Sequence, residues 1–499
     1  MWTTVTLVLY AAVLAPAVVS VWRRPAVALY LFLVGLALHN LVMALLYGAG
    51  VRGGSLDVVL AWKETLLAVA VSRVLLDSWR LRRLPFRPGG VDILALGFAA
   101  VALVYAVLPQ TLLGGEASSE GVLYGLRHAL VPVVVYLLGR ALVLSARDLR
   151  RLGSTLVVTA AAVAAFGLVD LYAVSVEWWR DSGAVGYFRN QLGFESHGPG
   201  GLPENFALNS DEGVFRRLIS TFVSPLGTAF MLVVALLVAA SPGWLARRRA
   251  LVVPLLATLG MALLLTLTRS AIVALAAGLV VLAVARRRVW PIAAAAATIA
   301  AGVAFTFVFP AVTPETHFFP ADLEYQERRA RAEGGLPTGN TLLDPSEPSI
   351  RSHLTSLRDG LEAVIHHPQG YGLGNAGATA RRFDERPLAG ESNYTEIGVE
   401  LGVAGLLLFV AWNVALLLAL LRQARAARDV DVRWAAGALA AALAAVLTLA
   451  VQTDAYGVPW LAYCLWWLGG ALVIPTTALA AARAAPSRSQ HRPPSVEPA

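Results

Sequence analysis

The stretch ESNYTEIGVELGVAGLLLFVAW, residues 391–412, sets Glu391, Tyr394, Glu396 and Glu400 at the head of an apolar run long enough to enter a bilayer. Desolvation at a membrane lip raises a carboxylate's pKa, so such a group can accept a proton near neutral pH. Glu391 therefore fits a general base, with Tyr394 three residues on to orient it; it equally fits a residue beside a helix N-cap. Glu396 suits a first-turn acid matching the helix dipole, and Glu400 suits a buried partner of Arg127 or Lys63. Arg217 and Arg269 stand apart from the other basic residues because they fall on the opposite side of the membrane. Their plain readings are a loop residue beside Arg216 and an interfacial anchor.

Other polar groups carry less. In GYGLGNAG, Gly370, Gly372 and Gly374 suit a tight backbone excursion, either a phosphate cradle or a plain loop reversal. Asp322 and Glu324 have an acid-x-acid spacing, yet neither a second acidic pair nor a nearby His completes an oxygen cage, so a solvated helix face is expected and no metal is assigned. Lys63, the one lysine, lies mid-span beside Glu64. Adjacent helix positions face apart, so the two are expected to contact different partners. Trp178, Trp179, Tyr187 and Phe188 read as an interfacial belt or a sugar platform.

The elements that position these residues are membrane helices. With 57% hydrophobic residues, 14% charged and a mean hydropathy of +0.65 over 499 residues, the chain has the composition of a polytopic membrane protein. A single cysteine, Cys464, excludes an internal disulfide and a cysteine zinc site. The net charge of +8 sits in short arginine clusters after apolar runs, which is positive-inside patterning and not a nucleic-acid footprint. Apolar runs predict about thirteen spans, near 4–21, 26–48, 56–76, 91–108, 124–144, 154–173, 219–240, 250–267, 270–285, 290–309, 398–421, 434–453 and 458–480. Residues 1–485 then form one all-α membrane domain, and 486–499 a disordered cytoplasmic tail. The two long loops, 174–218 and 310–397, lie outside. In the second, Ile350, Leu354, Leu357, Leu361, Val364 and Ile365 recur at helical spacing and predict a lateral amphipathic helix.

An arginine-led surface helix ending in HPQGYGLG, followed by Tyr394 and ELGVAGLLLF, resembles the O-antigen ligase and Wzy-type polysaccharide polymerase superfamily, with 349–405 as its motif region. RLISTFVSPLGTAFML and LTLTRSAIVALAAGLVV are similar to its arginine-bearing helix junctions, and AWKETLL and LYGLRHALVPVVVYLLGRAL to its N-terminal half. The resemblance implies a metal-independent, inverting, GT-C-like glycosyltransferase of the bacterial plasma membrane, facing the periplasm or exterior and needing no cofactor. Its donor would be an undecaprenyl-diphosphate-linked oligosaccharide and its acceptor a glycan or lipid-anchored sugar. Arg217, Arg269 and Arg351 match the family's arginines, and Arg127 is a further candidate for the diphosphate. Glu391 stands where the ligases carry a histidine, which argues for chain extension over transfer to a lipid core.

A lipid-linked sugar transporter or flippase also needs many spans and buried charges. Inverted repeats and paired broken helices, its usual marks, are not evident in the sequence.

Overall fold

The computed structural model describes residues 2–142, 144–194, 196–210, 213–241, 249–332, 348–383, 387–390 and 392–473. The N-terminal half comprises α1 (Trp2–Arg23), α2 (Val27–Gly48), α3 (Gly54–Leu60), α4 (Trp62–Leu81), α5 (Gly90–Val107), α6 (Gln110–Leu113), α7 (Ser119–Ala141) and α8 (Ala146–Ala173). Two short helices follow, α9 (Val176–Asp181) and α10 (Ala184–Gly186), then α11 (Pro225–Ala240), α12 (Arg249–Leu265), α13 (Arg269–Arg286) and α14 (Trp290–Val312). The second long loop holds α15 (Pro320–Ala332), α16 (Pro348–His366) and α17 (Gly377–Arg382), and the chain returns through α18 (Asn393–Ala426), α19 (Val430–Leu449) and α20 (Pro459–Leu472).

The chain is an α-helical, multi-pass membrane protein. Among the described residues, nine helices are long and apolar enough to cross a bilayer: α1, α2, α5, α7, α8, α13, α14, α18 and α19. α11 and Leu251–Leu265 are apolar but shorter. The expected span 56–76 is interrupted at Ala61, which caps both α3 and α4. The break frees the Leu60 carbonyl, and buried Lys63 curls back to it at 2.9 Å while its ammonium comes within 3.5 Å of Glu64. Lys63 and Glu64 thus meet each other after all, because a chain break and a long flexible stem overcome the helical spacing.

Small residues let the helices approach closely. A Cβ on Gly470 of α20 would lie 2.0 Å from the Tyr136 carbonyl of α7, and one on Gly139 would lie 2.1 Å from the Trp467 carbonyl. α19 is buried from Ala436 to Val446 on an alanine-rich surface. Arg140, in the last turn of α7, is a buried partner of Asp92, with Nε 2.8 Å from Oδ1.

At the loop-bearing end the two long loops form one structure. A small antiparallel sheet joins β1 (Ala207–Ser210) and β2 (Gly213–Arg216) of the first to β3 (Glu315–Thr316) of the second. His197 stacks on Tyr325 at 3.7 Å and faces Asp322 at 3.5 Å, so that acid serves loop packing. Trp179 is buried and donates to Asp170 at 2.5 Å, whereas Trp178 is exposed. The amphipathic helix is present as α16. Gly360 and Val364 dock on Thr395 and Gly398 of α18, while Leu354, Leu361 and Ile365 remain exposed on the outer stripe.

Candidate functional site

Two polar centres occupy the loop-bearing end. The first grows from alternation along β2, which sends neighbouring side chains to opposite faces. Arg216 turns inward to Asp170 at 3.5 Å and to the Val174 carbonyl. Arg217 turns the other way, onto the junction between α12 and α13. Its Nε donates to the Thr266 carbonyl at 2.8 Å, and Nη2 to the Leu267 carbonyl at 3.3 Å and Thr268 Oγ1 at 3.2 Å. The Leu218 amide pins the same junction through the Leu265 carbonyl at 3.0 Å. Burial, and then the charge of Arg269, pull the Arg217 guanidinium down to about 10. It stays cationic at neutral pH, held by neutral oxygens beside a second cation that opens α13. A helix N-terminus is itself electropositive, so the locus suits an anion.

The second centre lies between α7, α18 and the turn joining α19 to α20. α18 is not continuous: Gly402 adopts φ 67° and ψ −176°, a region open essentially to glycine alone. The glycine loop fills the break. Val403 N–H donates to the Pro368 carbonyl at 2.9 Å, while the Tyr371 and Gly372 amides donate to the Val399 and Glu400 carbonyls at 2.7 and 3.0 Å. Gly370 and Gly372 are needed for this approach, since their Cβ atoms would lie 2.4 Å from Gly402 N and 2.5 Å from Gln110 Oε1. Asn375 fastens the loop's other side, accepting from the Glu116 amide at 2.8 Å and donating to Gln110 Oε1 at 2.8 Å. Glu400 accepts the Gly374 amide at 2.8 Å. Its expected pairing with Arg127 or Lys63 is replaced by this backbone bond, and both of those cations are engaged with Glu64.

Beside it, Glu396 lies in the first turn of α18, as expected, and is fully buried there. It shares a pocket with His128, Asn393, Glu400 and Tyr456. His128 Nε2 lies 3.3 Å from Asp454 Oδ1, and its Nδ1 lies 3.9 Å from Glu396 Oε1. Asn393 donates to Asp454 at 2.7 Å and to Glu396 at 3.3 Å. His128, Asn375, Asn393 and Asp454 were not singled out from the sequence. His128 alone left a usable signal, as an ionisable residue inside an apolar span.

Other expected site residues are placed as follows. Arg127 is paired with Glu64, which also accepts from the Tyr463 hydroxyl at 3.3 Å. Its guanidinium lies over the Tyr124 ring, and Arg382 covers the same ring at 4.6 Å while donating to the Tyr124 hydroxyl at 3.0 Å. The Tyr394 hydroxyl donates to the Leu447 carbonyl at 3.0 Å, so it is engaged with α19. Arg351 lies in α16, its side chain outside the described residues, and Glu391 lies outside them altogether.

Residues 254–410 match the family model Wzy_C, O-antigen ligase. The match supports a place for residues 254–410 in the O-antigen ligase/Wzy superfamily. The Wzy_C segment runs from α12 into α18, so it contains Arg269, Arg351, the glycine loop, Glu391, Glu396 and Glu400. Arg217, Arg127, His128 and Asp454 lie outside it and reach the Wzy_C segment only through the fold. No curated protein matches the chain.

The break in α18 yields a direct prediction. Gly402→Ala adds a Cβ 2.5 Å from the Pro368 carbonyl at a backbone angle alanine avoids, at a strain of about 1–3 kcal/mol. A clear fall in melting temperature and abundance is expected. Gly260→Ala, in open space on α12, should be neutral or slightly stabilising. Equal melting curves for the two variants would remove the structural role assigned to the glycine loop.

Proposed function

We propose that this chain is an inverting glycosyltransferase that polymerises glycan repeat units carried on undecaprenyl diphosphate, at the outer face of the bacterial plasma membrane. The observation that supports it is the meeting of Arg217 and Arg269 at the head of α13, within a superfamily named for O-antigen ligation. In the step, the acceptor hydroxyl oxygen attacks the donor's anomeric carbon while the bond from that carbon to the diphosphate oxygen breaks. The electron pair leaves with the diphosphate, and the hydroxyl proton passes to a base, which we assign to Glu391. Arg217 and Arg269 face the leaving diphosphate and stabilise its developing charge, which is worth most where water is scarce. Arginines, not a bound cation, do this work in the proposal, and Arg351 and Arg127 lie toward the lipid-linked donor.

The family description favours a second reading, ligation of finished polymer to another acceptor. Deleting the gene and analysing surface glycans separates them. Loss of long chains with single repeats retained means polymerase; polymer stranded on the lipid carrier means ligase. Unchanged glycans with lipid-linked repeats trapped at the inner leaflet would point to a flippase and end both readings.

The proposal treats residues 1–485 as one membrane domain of about thirteen crossings, with loops 174–218 and 310–397 outside. A cysteine at Ser346 should then react with an impermeant maleimide added to whole cells, and one at Ala246 should react only after lysis. The reverse pattern would invert the topology and exclude the outer-face site.

A further inference from the structure

The pocket between α7, α18 and the α19–α20 turn gathers three carboxylates, Glu396, Glu400 and Asp454, around one imidazole, His128. Glu400 is occupied by the Gly374 amide. The other groups have unused capacity. Glu396 is 1% exposed, and although its Oε2 accepts from Asn393, its Oε1 has no hydrogen-bond partner and points toward His128. His128 Nε2 is likewise without a hydrogen bond, although it faces Asp454. Among the described residues, the ion pairs to these acids come from His128 alone. Three ionised carboxylates against one imidazolium would leave two negative charges in a buried pocket, which is unfavourable unless a cation or protons compensate.

We propose that His128, Glu396 and Asp454 form a binding site for a divalent first-row transition-metal ion of the Zn²⁺ or Mn²⁺ kind. One donor atom from each residue lies within 4.8 Å of the other two. Donors bound tetrahedrally at about 2.0–2.2 Å sit about 3.3–3.6 Å apart, so the set closes by little more than about an ångström on taking up an ion. A mixed donor set of one imidazole nitrogen and two carboxylates suits zinc or manganese, whereas Ca²⁺ and Mg²⁺ favour oxygen alone. The supporting shell is present. Asn393 Nδ2 reaches both acids, and the Gly457 amide donates to Asp454 Oδ1 at 2.6 Å, so the carboxylates are oriented before any ion arrives. The side chains of His128 and Asp454 are 17% and 16% exposed, which gives an ion a way in and room for a water ligand. An ion there clamps α7 to α18 and to the lead-in of α20. Glu400, one helical turn beyond Glu396, holds the glycine loop, so the clamp also sets that loop's position. The site is separate from the arginine pair, and its test reads metal and not sugar transfer.

The experiment uses the full chain, purified in detergent without a histidine tag, dialysed against a chelator and titrated with Zn²⁺, Mn²⁺ and Co²⁺. One ion per chain is expected, with visible absorption bands for Co²⁺ and a melting temperature that rises with metal and falls again with chelator. Glu396→Gln and Asp454→Asn should abolish stoichiometric binding, and Asn393→Leu should weaken it by about 10- to 100-fold, the usual effect of losing a residue that orients ligands. His366→Gln, on α16, should bind as the wild type does. If Glu396→Gln and Asp454→Asn do not fold, the reversible metal-dependent melting shift of the wild type, compared with His128→Gln, decides the matter. Absence of stoichiometric metal and of any melting shift in the wild type overturns the site and leaves a pocket neutralised by protons. Binding undiminished in the three ligand variants overturns it as well, because the ion would then sit elsewhere.

Discussion

Arg217→Lys and Arg269→Lys are each expected to lower polymer formation from purified lipid-linked repeats by about 10²- to 10³-fold, the range seen when one donor to a developing oxyanion is removed. Both substitutions keep the charge, so the loss tests geometry. Lysine presents one compact ammonium on a flexible stem, whereas the guanidinium offers a planar fork that can hold protein and phosphate oxygens together. At Arg217 the fork already spans the Thr266 and Leu267 carbonyls and the Thr268 hydroxyl. A lysine cannot keep all three contacts and also meet a diphosphate. Some loss of rigidity at the α12–α13 junction is expected too, although the Leu218–Leu265 backbone bond remains. Arg269→Lys tests the same role from a second position, at the head of α13. Wild-type turnover in both variants at equal abundance refutes the phosphate role.

Glu391→Gln should lower turnover by about 10² to 10⁴ while donor binding and abundance hold, which is the usual span for losing a general base. Glutamine keeps the shape of the side chain but cannot accept the hydroxyl proton. The neighbouring acids sharpen the comparison. Glu400→Gln weakens the acceptor that holds the Gly374 amide and should reduce abundance more than specific activity. Glu396→Gln acts on the His128 cluster and should be read by metal binding and melting temperature. Full activity in Glu391→Gln, with loss of activity in a stably folded Glu396→Gln, would move the base one turn inward.

Some of these assignments depend on distance along the chain and others only on distance in space. The membrane class, the helical character and the amphipathic helix α16 were legible in the sequence, because bilayer thickness and helical periodicity act on composition over windows of about 20 residues. The superfamily was legible as well, from the order of its arginine junctions and glycine loop, and the match over 254–410 agrees. Three things were decided by tertiary structure alone. Local pattern made Glu396 a first-turn acid, which it is, but gave no sign that α7 delivers His128, and the turn after α19 delivers Asp454, to the same pocket from far along the chain. Glu400 looked like an ion-pair partner, but the broken helix at Gly402 admits the glycine loop and supplies a backbone amide instead. Lys63 and Glu64 looked divergent, but the interruption at Ala61 frees a carbonyl that turns the lysine back. Periodicity reports which face of a helix is apolar. Only packing reports which charges meet in the low-dielectric interior, where each buried ion needs a specific partner and most such partners come from other segments of the chain.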